Sequence, residues 1–417
     1  MNRTIDIQAA VAIAAAQALA ARTQGTFGVG GVLLDGAGNV LQAMHNNVVK
    51  DGLVADPTAH GERQLVDWYF AQQAQGRALP PPSELTIVTS LDPCCMCAGA
   101  LLAAGFRVVV AAPDARAGIN YDQSASFAAL PAPLAARAAA HFCYPAVHGE
   151  SPYARAASGA APASFFIGRS ISEATQALCS LVFESTCEQV MALSNAGGDA
   201  ALLDPAKLPH DHLVVRALRC CYAQALAYRC APGAPDAGLA PYLQAAMQQD
   251  RDNGGPGDAA ALLDVHGNLL LCLPGQVGVS PIRTALMECT RQYAQLRHAL
   301  MTDASAAAQE EIKRYLAHPK YGTFVLATGP DASAASVMQL GAFGSTMEGA
   351  LPASNLAPLQ YVRASMVQEA LLALCAELPP FYRDLARLQP RQVLDAGLIA
   401  AMENTGVRSA IATRTQP

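Results

Sequence analysis

Four side chains in two short stretches could do chemistry together. Thr58-Ala59-His60-Gly61-Glu62 sets an imidazole two residues before a carboxylate, and Pro93-Cys94-Cys95-Met96-Cys97 sets two thiols three residues apart. One His and two Cys make three ligands suited to zinc, and they leave its fourth position open, as catalytic rather than structural zinc requires. Cys94 and Cys97 share one face at the start of a helix, where the helix dipole and a metal both favour thiolate. Glu62 stands where a carboxylate can take a proton from metal-activated water without being a ligand. Each piece alone has a plainer reading: a structural or redox Cys pair, a core histidine, a solvated helix glutamate. Their combination favours catalysis. Cys95 and Met96 read as packing.

The elements that must hold these residues follow from periodicity and turn chemistry. Residues 5–23 are Ala-rich with helical spacing of Ile and Leu, and residues 29–34 and 40–43 flank a Gly/Asn turn in a β-hairpin. A loop over 46–56 leads into a helix from near His60 to about Gln75. A Pro-rich connection over 77–83 precedes a strand at 85–90. Pro93 opens the next helix, and 107–112 is a further buried strand.

The chain also repeats itself. Ala16-Gln17-Ala18-Leu19-Ala20-Ala21-Arg22 returns as Ala223-Gln224-Ala225-Leu226-Ala227-Tyr228-Arg229, and Leu33-Leu34-Asp35 with Gly38-Asn39 as Leu262-Leu263-Asp264 with Gly267-Asn268. Thr58-Ala59-His60-Gly61-Glu62 lines up with Thr284-Ala285-Leu286-Met287-Glu288, and Thr86 and Pro93 with Thr323 and Pro330. Four segments in one order predict a domain written twice. In the second copy Leu286 stands for His60, and Asp331 and Ala334 for Cys94 and Cys97, so zinc has no ligand set there. Glu288 is retained as a solvated or capping residue. Ile171 to Leu193 reads as a helix between the copies, with Asn195-Ala196-Gly197-Gly198-Asp199 as a linker.

Composition bounds the rest. A chain of 417 residues that is 52% hydrophobic and 14% charged can bury more than one core. No apolar run is long enough to span a bilayer. Residues 9–21 imitate a signal peptide but recur inside the chain, so they read as a helix of the fold. Twelve scattered cysteines fit reduced, buried thiols and a cytoplasmic protein. A net charge of −6 and four lysines (Lys50, Lys207, Lys313, Lys320) argue against a polynucleotide substrate.

The pairing of His-x-Glu with Pro-Cys-x-x-Cys is the recorded signature of zinc-dependent base deaminases. Residues 5–150 resemble the cytidine deaminase-like superfamily, above all the branch of guanine deaminases and tRNA adenosine deaminases, in Asp56-Pro57-Thr58-Ala59-His60-Gly61-Glu62 and Pro93-Cys94-Cys95-Met96-Cys97-Ala98-Gly99-Ala100. The resemblance implies an α/β fold: a three-layer α/β/α sandwich with a mixed central sheet, here present twice. It implies zinc on His60, Cys94 and Cys97, and Glu62 as proton carrier. It also implies base or sugar contacts from Asn46 (with Asn47 a competitor) and from the backbone of Ala59. Phe27 is a candidate stacking wall. Asp114-Ala115-Arg116-Ala117-Gly118 is similar to the tRNA branch, and the stretch through Asp122 loosely resembles the guanine branch, where an acid reads the purine edge.

The expected organisation is a catalytic domain over 1–155, a helical connector over 156–205, a degenerate deaminase-like domain over 206–395 and a tail over 396–417. The expected activity is hydrolytic deamination of a nucleobase, nucleoside or related amino-heterocycle, with the inactive half walling the site as an intrachain pseudo-dimer; a further homo-oligomer stays open. The alternatives are a tRNA adenosine deaminase with a built-in inactive subunit and a non-catalytic zinc-stabilised binding module.

Overall fold

In the computed structural model, residues 5–195, 202–347 and 357–403 are described. The Ala-rich N-terminal segment is helix α1 (Ile7–Gln24), capped by the Asp6 carboxylate on Gln8 N–H and ended by Gly25 in the left-handed region at φ 84°. There follow β1 (Gly30–Leu34), β2 (Val40–His45), the small hairpin β3 (Val49–Lys50) and β4 (Leu53–Val54), and α2 (Gly61–Ala74). Next come β5 (Thr86–Leu91), α3 (Cys95–Ala104), β6 (Arg107–Ala112), α4 (Ala132–His141) and β7 (Phe142–Tyr144). Strands β8 (Ala146–His148), β9 (Ser158–Gly159) and β10 (Ser170–Ser172) precede the long helix α5 (Glu173–Asn195).

The second half runs through α6 (Leu213–Cys221), α7 (Ala240–Asp252), β11 (Ala259–Leu263), β12 (Leu269–Pro274), α8 (Ala285–Thr302) and α9 (Ala306–Tyr315). It ends with β13 (Thr323–Thr328), α10 (Ala334–Met347), β14 (Leu359–Arg363), α11 (Gln368–Glu377) and β15 (Arg391–Gln392).

The first sheet has the order β2-β1-β5-β6-β7-β9 and the second β12-β11-β13-β14-β15. Both begin alike, with two antiparallel pairings and then two parallel ones, and the first sheet adds an antiparallel pairing of β7 with β9. Each carries a register shift at the same place, between Leu33 and Leu34 and between Leu262 and Leu263. The fold is thus the expected mixed α/β sandwich, in two sheet–helix units. Helices α1 and α5 share one apolar core with the first sheet, and α7 shares another with the second sheet. Between the sheets, α2, α3, α8 and α10 contribute to one continuous core. The halves meet most closely where α3 and α10 cross. A Cβ on Gly99 would lie 2.4 Å from Met338 N, and one on Gly341 would lie 2.0 Å from Met96 N.

That reciprocity fixes a register between the halves. Under the expected duplication this contact would pair Gly341 with Gly99, and so Ser336 and Gln339, rather than Asp331 and Ala334, with Cys94 and Cys97. Likewise Tyr69 donates to Pro80 O at 2.9 Å and Tyr293 to Ala317 O at 2.8 Å from matching places on α2 and α8. That match sets Thr284 opposite His60 and Leu286 opposite Glu62. Glu288 falls opposite Gln64; it is buried and ion-paired with Arg283 and Arg291 rather than solvated.

Other expectations need correction. Residues 223–229 form turns, not a helix, because this stretch lies along β12: Leu226 N–H donates to Leu269 O, Leu269 N–H to Tyr228 O, and Arg229 bridges Asn268. Helix α7 packs on β11 and β12 of the second sheet, as α1 packs on β1 and β2 of the first. The first unit does not stop at 155, since β9 pairs with β7, β10 with β8, and Ile5 with Phe166. Residues 396–403 are helical, with Leu398 and Met402 buried beside α7, so no tail begins at 396. Of the expected linker over 195–199, Asn195 ends α5, while residues 196–199, like 404–417, lie outside the described residues.

Candidate zinc centre and its cavity

His60 and Cys94 are the N-cap residues of α2 and α3, and neither side chain makes a capping hydrogen bond. Both side chains turn instead toward each other, so two helix N-termini converge on one point, as the motif spacing suggests. Cys94 Sγ lies 3.6 Å from His60 Nδ1. Tetrahedral zinc with ordinary Zn–S and Zn–N bonds separates those two donors by roughly 3.6 Å. Donor atoms of His60, Cys94 and Cys97 all lie within 4.8 Å of one another, the one such three-residue group among the described residues. The donor set fits zinc.

Glu62 sits in the first turn of α2, buried against this group. Its Oε1 accepts from Thr89 Oγ at 2.7 Å, while its Oε2 lies 3.5 Å from Cys97 Sγ. Burial raises its pKa above the usual carboxylate range, opposed by the Thr89 bond. The Cys94 thiol is lowered well below its ordinary value by the hydrogen bond from Cys97 and by His60, against its burial, whereas burial pushes the Cys97 thiol up. One thiolate is thereby favoured even before a cation arrives.

A small cavity of about 100 Å³ opens onto the centre. Asn46 lines it. Its Oδ1 accepts from Thr26 Oγ1 and Val48 N–H, both at 2.9 Å, which fixes the amide and leaves its Nδ2 to donate. Asn47 is turned away, bonded to His45 O and Gln64, so of the two only Asn46 lines the cavity. Phe27 also lines the cavity, its ring 6.5 Å from that of His60.

Two expected contacts are not brought there. Asp122 is exposed and folded back on Ser124, whose N–H and hydroxyl it accepts, and it does not line the cavity. Ala59 is a correction too. Its N–H donates to Asp56 O, and its carbonyl already accepts from Asn47 N–H and Gln64 Nε2. Its backbone is committed to the loop.

In place of Asp122 the structure offers Asp114, a buried acid on the cavity wall whose Oδ1 accepts from Arg116 and Ala117 N–H. Its stretch is visible in the sequence, but a carboxylate facing the cavity is not. Behind it, Asp92 anchors the loop by accepting from Tyr144 O–H at 2.7 Å and Asn120 N–H at 2.8 Å; burial pushes this carboxyl up to about 8. The remaining walls come from distant sequence: Phe183, Cys187 and Met191 on α5, and Ser345, Phe381 and Tyr382 from the second half. No motif marks these six. The mouth continues into a groove beside Arg116 and the exposed Glu184 and Glu188.

Residues 5–112 match the family described as cytidine and deoxycytidylate deaminase zinc-binding region, a span that holds all four motif residues. No curated protein matches. Among solved structures, one reported under A-to-I editing by tRNA deaminases at the wobble position of transfer RNA is 25% identical. The match covers 27% of this chain and 80% of that one, with a TM-score of 0.22. A second, the protein NE0047 crystallised as a point mutant with 8-azaguanine, is 18% identical over 44% of this chain and 87% of its own, with a TM-score of 0.28. No helix among the described residues is long and apolar enough to cross a membrane.

Proposed function

We propose, from the premise that residues 5–112 carry the zinc-binding region of the cytidine and deoxycytidylate deaminases, that this chain is a hydrolytic deaminase of a small amino-heterocycle. The substrate class is a nucleobase, a nucleoside or a relative, with ammonia released. The observation that carries this reading is the placement of Glu62, with one oxygen tied to Thr89 and the other facing the three-donor group. A purely structural zinc site needs no such carboxylate.

His60, Cys94 and Cys97 would hold the zinc, which when bound would supply Lewis-acid activation of water near neutral pH. Glu62 is placed to accept a proton from the attacking water and would return protons to the ring nitrogen and the departing amine, so that R–NH2 + H2O → R–OH + NH3 balances. The Thr89 hydroxyl holds the carboxylate in place throughout. Asn46 Nδ2 donates to an acceptor on the substrate, and Asp114 accepts from a ring N–H or amino group. Phe27 and Phe381 confine a flat ring and keep bulk water out.

The second half is read as a degenerate copy that has kept its sheet order and lost its ligands, so the chain is a pseudo-dimer with one working site. Support comes from the shared strand order, the paired register shifts and the reciprocal glycines. A polynucleotide substrate is the weaker reading, because Glu184 and Glu188 at the mouth repel phosphate.

The test is ammonia release by the zinc-loaded protein from guanine, adenine, cytosine, their nucleosides, aminopterins and unmodified tRNA, with Glu62→Ala as control. Turnover of one small heterocycle that vanishes in the variant is the expected result. Activity on tRNA alone would replace this substrate class. Tight zinc without any turnover would leave a binding module.

A further inference from the structure

We propose that Arg291, carried by the second half of the chain, is a positioning residue of the metal site: through Asp56 it holds the turn that aims His60. His60 makes no capping hydrogen bond at the start of α2, so the path of the backbone into the helix decides where its imidazole points. That path is a tight turn built on Asp56. One carboxylate oxygen, Oδ1, accepts from Thr58 N–H at 2.8 Å and from Thr58 Oγ1 at 2.7 Å. The backbone closes the same turn, with Ala59 N–H donating to Asp56 O at 3.0 Å and His60 N–H to Thr58 O at 2.8 Å.

The other oxygen, Oδ2, faces two arginines. Arg63 of α2 pairs with it at 3.5 Å, and the Arg63 Nε–H donates to Thr58 O. Arg291 of α8 pairs with it at 3.7 Å and reaches Asp67, itself a partner of Arg63, at 3.4 Å. Arg63 and Asp56 are both buried, where a charge stripped of a partner is costly. One guanidinium from the second half thus braces both carboxylates that hold Arg63 and the turn. In the register that Tyr69 and Tyr293 mark, Arg291 stands opposite Asp67, so the contact joins like places on α2 and α8. Two identical halves would set aspartate against aspartate there, and the like charges would repel. Arginine at this place on α8 turns that repulsion into an ion pair.

Arg291 touches neither metal nor substrate; its effect passes through Asp56 to His60. The proposal rests on the zinc site and not on any choice of substrate. The experiment compares the full-length wild type with Arg291→Gln, Asp56→Asn and the double variant, a cycle that isolates the pair. Zinc affinity is read by competition with a chromophoric chelator, and ligand geometry by the visible bands after loading with Co2+. Direct partners of metal ligands are worth roughly 10–100-fold in affinity, and Arg291 acts one step further out, so Arg291→Gln should weaken zinc binding by about threefold to tenfold. The Co2+ bands should shift, and kcat should fall with KM nearly unchanged. The double variant should lose less than the two single losses multiplied. A lower melting temperature with unchanged zinc affinity and unchanged bands would reduce Arg291 to a structural brace and overturn the proposal. Losses that multiply in full would take Asp56 out of the path and overturn it as well, while a wild-type chain that binds no zinc would instead overturn the metal site. Should Arg291→Gln not fold, Arg291→Lys carries the test: one ammonium cannot span Asp56 and Asp67, so the bands must still move, and unmoved bands refute the positioning.

Discussion

The crossing of α3 and α10 can be tested by adding one methyl group. In Gly99→Ala the new Cβ would fall 2.4 Å from Met338 N and 2.7 Å from both Ala334 O and Met338 Cα. All three are backbone atoms, so no side chain can swing aside. Restoring ordinary contact at about 3.4 Å requires α10 to retreat by about 1 Å. Overpacking of this kind costs about 1–3 kcal/mol, and Gly to Ala within a helix returns about 1 kcal/mol of propensity. The net expectation is a loss of up to about 2 kcal/mol.

Catalysis should suffer more. Helix α3 carries both cysteine ligands, while Ser345 on α10 lines the cavity. A displacement near 1 Å costs roughly 100-fold in rate where geometry governs. Urea unfolding of the zinc-loaded protein gives the stability, and turnover of the substrate found in the panel gives the rate. Gly341→Ala, with its Cβ 2.0 Å from Met96 N, should behave alike. If both variants match wild type in stability and rate, the halves do not meet through these two glycines and the inferred register falls with them.

Replacing Glu62 by Gln should cut kcat by roughly 100- to 10,000-fold while zinc stoichiometry, read by atomic absorption, stays at one per chain; a mild loss would move the proton transfer to another group. Asn46→Ala should raise KM by about threefold to tenfold, the worth of one hydrogen bond, whereas Asp122→Ala should leave steady-state kinetics alone; the reverse ranking would restore Asp122 to the site. Asp258, whose carboxyl burial pushes up to about 6, accepts from Ala285 N–H. A raised carboxyl pKa favours the folded state below the unfolded value and handicaps it once pH passes the folded value. Asp258→Asn should therefore stabilise the chain by on the order of 1–3 kcal/mol at pH 8 and have little effect near pH 4; equal melting shifts at both pH values would contradict that environment.

The centre was legible in the sequence because each ligand pair is local. His60 with Glu62 and Cys94 with Cys97 each occupy one helix start, and helix geometry fixes their relative placement. The hairpin and the buried strands were legible for the same reason. What could not be read is whatever depends on how remote segments pack. Phe183 and Met191 reach the cavity only because α5 lies over the first sheet, and Tyr382 only because α10 leaves a gap at Gly344. The repeat misled in an instructive way. Ala223 to Arg229 has the composition of a helix, yet hydrogen bonds to β12 override its propensity. Glu288 resembled a surviving Glu62, but its helix is displaced by two residues relative to the motif match. A sequence match reads letters, while Tyr69 and Tyr293 report which residues face the same acceptor.

The single layer of helices shared by the two sheets has a kinetic consequence. Where a pocket is completed by a separate subunit, dilution empties it, and specific activity falls below the dissociation constant of the pair. Here the completing residues Phe381 and Tyr382 are tethered to the ligands by the chain itself, so their effective concentration is set by covalent connection and not by how much protein the cell makes. The wall and the metal site are synthesised in fixed one-to-one ratio, and turnover per molecule should stay flat from micromolar protein down to the detection limit.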